Sequence, residues 1–300
     1  MERIPPRPET GHRAASRAPL RFEDISQDGR IVLGALPTTL GVQVWREILA
    51  RSPSGEVPRE RRIVPVLARL VVDGMPGPFS VLGELDVEGT YRLARTIRGR
   101  LMFDMWVEIY STLGRTYGTV EGQGQRAMAG RVLAEHVLTR PFAPPGERRV
   151  ETLDFQGAPE VTEIRSDPAP VEQSAAVPDG ATPLEPELRP EAASRTFGLL
   201  HTDSNKHVNS LTYLRIIEEA SLRRFASLGR TAATLGRSVD ISYRKPCFAG
   251  QTVRVVERAY EMPSGRLGVV AMVFDEAEAK GGEAFASARP HVCARMEFEA

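Results

Sequence analysis

Asp203, Asn205 and His207 stand at every second position of the run Asp203-Ser-Asn205-Lys-His207-Val-Asn209-Ser-Leu-Thr212, directly ahead of an apolar, helix-like stretch. Each side chain brings a distinct chemistry. Asp203, ionised at neutral pH unless desolvated, can act as a general base, a nucleophile or an orienter of its neighbours. Asn205 offers a carbonyl and two N–H donors. His207 can take or give a proton near pH 7. If the stretch is extended, a spacing of two puts all three on one side. If the helix starts within it, the backbone N–H groups at the positive end of the helix point at the same place. Acid, amide, imidazole and helix dipole together suit attack on a carbonyl carbon, with N–H groups holding the developing oxyanion. A plainer reading competes: Asp, Ser and Asn are the usual N-cap and turn residues, so Asp203-Ser204-Asn205 could simply start the helix, with His207 a partly buried helix residue.

The elements that must position these residues are readable in part. From Ser210 to Leu228, Leu211, Leu214, Ile217, Ala220, Phe225 and Leu228 recur at helical spacing, and Gly229 follows as a stop. Thr196–His201 precedes them as an expected strand. Four expected strands come after: the alternating Val239, Ile241 and Tyr243, then Val253–Tyr260, Leu267–Phe274 and Phe285–Phe298. The N-terminal half repeats this order loosely. A strand is expected at Arg30–Leu36 and a helix at Leu40–Arg51, with Val42, Trp45, Ile48 and Leu49 in step. Strands are expected at Ile63–Val72, Phe79–Val87, Leu101–Tyr110 and Tyr117–Val120, and Gln125–Leu138 is helix or strand. Trp45, Phe103, Met105 and Trp106 read as core. Two halves that each lay one helix on an antiparallel sheet make an α+β protein with an internal pseudo-repeat.

Between the halves, Ser166 to Pro190 carries Pro168, Pro170, Pro178, Pro183, Pro186 and Pro190 with little apolar side chain, as expected of an extended or disordered linker. The division expected is a disordered tail at 1–19, an N-terminal unit at 20–154, a linker at 155–194 and a C-terminal unit at 195–300. Thirty-nine basic and thirty-nine acidic residues give a net charge of zero, against a broad attraction to nucleic acid or anionic membrane. No apolar run approaches a membrane span, and the first nineteen residues lack a signal-peptide core. The two cysteines, Cys247 and Cys293, form no zinc or redox spacing and fit free thiols in a reducing cytoplasm. Neither a metal nor a nucleotide cofactor is implied.

The segment Leu199-Leu-His-Thr-Asp203-Ser-Asn205-Lys-His207-Val-Asn209-Ser-Leu-Thr-Tyr213, with the acidic pair Glu218-Glu219 further along the helix, resembles the active-site segment of acyl-ACP thioesterases of the hotdog fold. Their pattern is Asp-x-Asn-x-His-Val-Asn-Asn, then a Tyr and an acidic pair; only Ser210 departs from it. Asp240-Ile-Ser-Tyr243-Arg-Lys-Pro246-Cys247, then Gly250-Gln-Thr-Val253, resembles the family's next strand and turn. The resemblance spans about a hundred residues. It implies two tandem hotdog units, each an antiparallel sheet wrapped around one long helix, with the second carrying the site and the first helping to shape an acyl pocket. Asp203, Asn205 and His207 take the catalytic positions, with Asn209, Tyr213 and Cys247 as accessory positions. Where plant members have Glu-Cys this chain has Pro246-Cys247, as simpler acyl-CoA thioesterases of the fold often do, and Cys247 reads as a structural thiol.

The implied substrate is an acyl thioester on CoA or acyl carrier protein, cleaved by water within lipid metabolism such as fatty acid biosynthesis. An acyltransferase with another acceptor would use almost the same residues, and a non-catalytic acyl-binding protein is the third reading. A hotdog dehydratase would need His-x3-Gly-x4-Pro, which His136, His201, His207 and His291 all lack. Hotdog sheets often pair across subunits, which allows a homodimer; a fused double unit can satisfy that pairing internally, which allows a monomer.

Overall fold

The computed structural model describes residues 4–9, 11–40, 63–153, 161–168, 170–278 and 289–299. The chain divides into two compact units, Met1–Pro168 and Ala169–Ala300.

The first unit is built on strands whose apolar residues alternate. β1 (His12–Pro19), β2 (Val64–Gly74), β3 (Glu84–Thr96), β4 (Leu101–Thr112) and β5 (Arg126–Thr139) form an antiparallel sheet in the order β1-β3-β4-β5-β2. In β3, Leu85, Val87, Tyr91 and Leu93 alternate with half-buried Asp86, Glu88 and Arg92, so one pleat face packs inward. Residues 1–19, expected as a disordered tail, instead supply β1, paired from His12↔Tyr91 to Pro19↔Glu84. Its side chains are largely exposed, so the strand exists through backbone pairing with an open edge, which composition does not reveal. Further along that edge, β6 (Val161–Arg165) runs parallel to β3 at Leu93–Thr96.

Three local expectations fail in this unit. Arg30–Leu36 is not a strand: Ile31 makes a single bridge to Ile25, and Leu33–Ala35 is a 3-10 turn that buries Leu33, Ala35 and Leu36. A short apolar run does not by its spacing separate strand from turn. Phe79 makes only one bridge, to Leu113, before β3 begins at Glu84. Tyr117–Val120 is part of the β4–β5 connection, where Gly118, Gly122 and Gly124 take left-handed φ and Tyr117 is exposed. Phe103, Met105 and Trp106 are buried, whereas Trp45 lies outside the described residues. Of the helix expected at Leu40–Arg51, only the end of the helical turn α1 (Thr38–Leu40) is described.

In the second unit a proline-rich path precedes the helix. The short pieces β7 (Thr182–Pro183), β8 (Arg189–Pro190) and β9 (Arg195–Thr196) follow one another along the edge of a later strand. Thr196–His201, expected as a strand, ends its pairing at Thr196, and Leu199–His201 is a 3-10 turn. The helix α2 (Ser210–Ser227) follows, then β10 (Leu235–Tyr243), β11 (Thr252–Glu261), β12 (Leu267–Asp275) and β13 (Val292–Glu299), ordered β10-β13-β12-β11. The linker prolines lie against β11 as Tyr260↔Pro183 and Val256↔Pro190. Proline has no N–H to give, so the residue after each donates instead: Leu184 to the Ala259 carbonyl (2.9 Å) and Glu191 to that of Val255 (2.8 Å). The linker is therefore strand-like where Thr182–Pro183 and Arg189–Pro190 pair with β11, whereas Val171–Ala175 is a 3-10 turn, and the paired part blunts an open sheet edge.

Among the described residues α2 is the one α-helix longer than a single turn. Tyr213, Leu214, Ile216, Ile217, Ala220 and Phe225 form its buried face, packed on β10, β11 and β12, and the Phe225 ring meets that of Phe298 edge-on at 5.0 Å. Gly229 ends it with φ 67°. Gly268 is required opposite Tyr260, because a Cβ there would lie 2.3 Å from the tyrosine ring. No helix among the described residues is long and apolar enough to cross a membrane.

A carboxylate sits under this helix. Glu257 is 1% exposed, with Oε2 3.3 Å from Ser221 Oγ, and the Ser221 hydroxyl donates to the Ile217 carbonyl at 2.8 Å. Burial, reinforced by the nearby Glu191 charge, pushes the Glu257 carboxyl up from its ordinary 4.5 to about 8. Glu257 is thus neutral at pH 7, and its proton can be donated to Ser221. Because the folded state binds this proton more tightly, its contribution to stability is full below 4.5 and is lost as pH rises through about 8. Urea unfolding of Glu257→Gln should show this downward slope across pH 5–8 flattened relative to the parent. An unchanged slope would rule out a buried, neutral Glu257.

Candidate active site

The run from Asp203 to His207 is neither extended nor part of the helix. Thr202 and Val208 form a β-bridge, and the residues between them close a tight turn. Asp203 N–H donates to the His207 carbonyl (3.1 Å), and Lys206 N–H to the Asp203 carbonyl (2.9 Å). Lys206 takes φ 66°, the one left-handed backbone among the described non-glycine residues. Asp203 Oδ1 accepts the Asn205 N–H at 2.8 Å, an Asx turn that explains the Asp-x-Asn spacing locally. The turn brings Asp203 and His207 together across its mouth, with His207 Nδ1 4.0 Å from Asp203 Oδ1. Asn205 is at the exposed tip, joined to Asp203 through its backbone.

Asn209, not Asp203-Ser204-Asn205, caps the helix. Its Oδ1 accepts the Leu211 N–H (2.9 Å) while its Nδ2 donates to Asp203 Oδ2 (3.4 Å). One side chain therefore ties the Asp203 carboxylate to the positive end of α2. Asp203 keeps 27% of its side-chain surface and His207 40%, so water reaches both. His207 Nδ1 lies 3.3 Å from the Val208 carbonyl, which can only accept, so Nδ1 carries the hydrogen and the neutral ring has its lone pair on Nε2.

His201, to which no site role is assigned from the sequence, is part of the frame. Its Nδ1 accepts the Gly198 N–H (2.9 Å), and its carbonyl accepts from Asn209 N–H (2.9 Å) and Thr212 Oγ1 (3.3 Å). The only sequence signal for this is Gly198 three residues ahead of His201, which is weak.

Tyr213 and Cys247 lie behind the turn. The Tyr213 hydroxyl accepts the Cys247 N–H (3.1 Å), and the Cys247 carbonyl accepts the Val208 N–H (2.8 Å). Tyr243 donates from its hydroxyl to the Ser210 carbonyl (3.3 Å), and the two tyrosine rings meet edge-on at 6.0 Å. Burial raises both phenols well above their ordinary value, so they serve as neutral hydrogen-bonding groups. The Cys247 thiol is fully buried, and burial pushes it up to about 11. It is protonated at neutral pH and unsuited to nucleophilic attack. Beside the turn, Leu199, Leu200 and Phe248 are exposed, the two leucines at 82% and 85%.

In the first unit, His136 is a core residue. Its Nδ1 lies 3.3 Å from the Phe103 carbonyl, and full burial pushes the ring down to about 4, leaving it neutral.

Comparison with known proteins finds no matching family model and no matching curated protein. Solved structures do match over nearly the whole chain. A candidate oleoyl thioesterase of Lactobacillus plantarum is 13% identical, with a TM-score of 0.65 over 97% of this chain and 98% of its own. The 12:0-ACP thioesterase of Umbellularia californica is 14% identical, with a TM-score of 0.58 over 95% and 93%. An acyl-ACP thioesterase of Bacteroides thetaiotaomicron is 16% identical, with a TM-score of 0.57 over 96% and 98%. At these identities the likeness is one of fold, and the chain has the hotdog-type fold of these structures.

Proposed function

We propose that this chain is an acyl thioesterase, hydrolysing a fatty acyl thioester carried on CoA or acyl carrier protein, with its site in the C-terminal unit. The observation that carries this reading is the Asp203–His207 turn: it holds a solvent-reached carboxylate and an imidazole together at the head of α2, in a hotdog-type fold. Asp203 takes a proton from water as the water oxygen adds to the thioester carbonyl. The carbon–sulfur bond then breaks, and the proton held by Asp203 is relayed to the departing sulfur by His207, whose Nε2 lone pair takes it up and releases it, leaving a carboxylic acid, a free thiol and both side chains in their starting state. Asn205, at the turn's tip, orients the acyl carbonyl, and Asn209 holds the Asp203 carboxylate in place. The exposed Leu199, Leu200 and Phe248 beside the turn suit an apolar acyl group.

In this reading the chain is two tandem hotdog units, and one site serves the chain. The neutral, buried His136 of the first unit supports a single site. The test is thiol release from acyl-CoAs and acyl-ACPs of graded length, with and without an added amine or alcohol. Release without an acceptor supports hydrolysis. Release only with one would assign acyl transfer, and acyl ligand retained without turnover would assign a binding protein.

Cys247 is structural in this account. Cys247→Ser should keep the wild-type kcat, and thiol alkylation at pH 7.5 should be slow, since the buried thiol is raised to about 11. Rapid alkylation with parallel loss of turnover would instead make Cys247 the nucleophile.

A further inference from the structure

The chain between β10 and β11, residues 244–251, crosses the end of the sheet where β13 begins and β12 finishes, as the pairs Tyr243↔Val292, Val273↔Val292 and Val253↔Asp275 place those ends side by side. It is held there by two residues outside the site. Arg244 N–H and Lys245 N–H donate to the His291 carbonyl (2.9 and 3.4 Å), and His291 N–H donates to the Val273 carbonyl (2.7 Å). His291 Nδ1 lies 3.3 Å from the Lys245 carbonyl, which can only accept, so Nδ1 donates. His291 Nε2 faces Asp275 Oδ2 at 3.2 Å. Asp275 accepts from Lys245 Nζ (3.2 Å) and Gln251 Nε2 (3.5 Å), so its one carboxylate grips both ends of the crossover. Glu278 shares the Lys245 ammonium at 3.5 Å. His291 is 2% exposed. Partial burial raises the Asp275 carboxyl, but His291 and Lys245 outweigh this and hold it below its ordinary value, as expected of a working anchor.

The middle of the crossover is Cys247, whose carbonyl fixes Val208 N–H and whose N–H is fixed by Tyr213. Val208 follows His207 directly and closes the bridge to Thr202. We propose that Asp275 and His291 are positioning residues: through the 244–251 crossover and the Cys247 carbonyl they set Val208, and with it His207, opposite Asp203. This rests on the thioesterase reading above for its effect on turnover.

The test is full-length Asp275→Asn, which keeps the shape and removes the charge, with Asp275→Glu as the conservative partner. Misplacement of His207 should lower kcat about 10- to 100-fold. KM should change less than kcat, because Leu199 and Leu200 of the acyl surface lie outside the crossover and only Phe248 lies within it. By amide hydrogen exchange, Val208 should lose protection while the interiors of β12 and β13 keep theirs, and Asp275→Glu should restore part of both signals. Unchanged Val208 protection, or faster Val208 exchange with unchanged kcat, would overturn the proposal. So would a kcat loss accompanied by faster exchange throughout β12 and β13, which would mark a merely structural residue. If the wild-type protein releases thiol from no thioester, the functional reading falls, and Val208 exchange alone still decides whether Asp275 holds the turn.

Discussion

Asp203→Asn should lower kcat on acyl thioesters by about 10²- to 10⁴-fold, the contribution typical of a positioned general base. The substitution is close to isosteric: its one amide oxygen keeps the short Asn205 N–H contact, and only the long 3.4 Å contact from Asn209 Nδ2, in a turn that water reaches, is given up. The fold should therefore persist, with an unchanged thermal midpoint, and KM should move little because the loss falls on the transition state. His207→Ala should show a smaller loss, since water can replace it in protonating a thiolate. If both variants turn over at the wild-type rate, the site lies elsewhere.

Arg165→Ala should produce the largest loss of stability, about 3–5 kcal/mol, because it strips the partner from buried charge. Arg165 Nη1 donates to Asp104 Oδ2 at 2.7 Å and its Nη2 to Glu135 Oε1 at 2.5 Å. The two carboxylate side chains keep only 0% and 4% of their surface. Burial already raises the Asp104 carboxyl despite the arginine, so removing the arginine leaves that cost unopposed. Arg69, 3.4 Å from Glu135, and Arg92, 3.9 Å from Asp104, cannot replace a two-pronged contact. Arg165 also anchors β6 beside β3, so proteolysis near Val161–Arg165 should quicken. The deficit should shrink on acidification, as the stranded carboxylates are neutralised by protons. A loss below 1 kcal/mol would show the cluster to be hydrated.

The readable parts of this chain are those where one physical signal dominates. The α2 helix announces itself by its apolar period and by Gly229, and β11 and β12 lie within a residue of their expected bounds. β1 was illegible because its sequence, HRAASRAP, buries almost nothing and pairs through backbone alone. The proline-rich stretch was legible only as extended or disordered, because its partner β11 lies some seventy residues on, beyond any local signal. At the site, the residue types were visible and their conformation was not. Alternate spacing suggested a strand or a helix start; the backbone instead makes an Asx turn, with Lys206 left-handed and the cap passed on to Asn209. Asp275 and His291 carry no motif, since they meet the crossover only after β12 and β13 have paired.

The most direct measurement of the central claim is free-thiol release from a series of acyl-CoAs and acyl-ACPs, run in parallel on the wild-type protein and Asp203→Asn at pH 7.5 with no added acceptor. The account predicts turnover by the wild-type protein on at least one chain length and its near-complete loss in the variant. Thiol release that persists in Asp203→Asn, or no release from any member of the series, would contradict it.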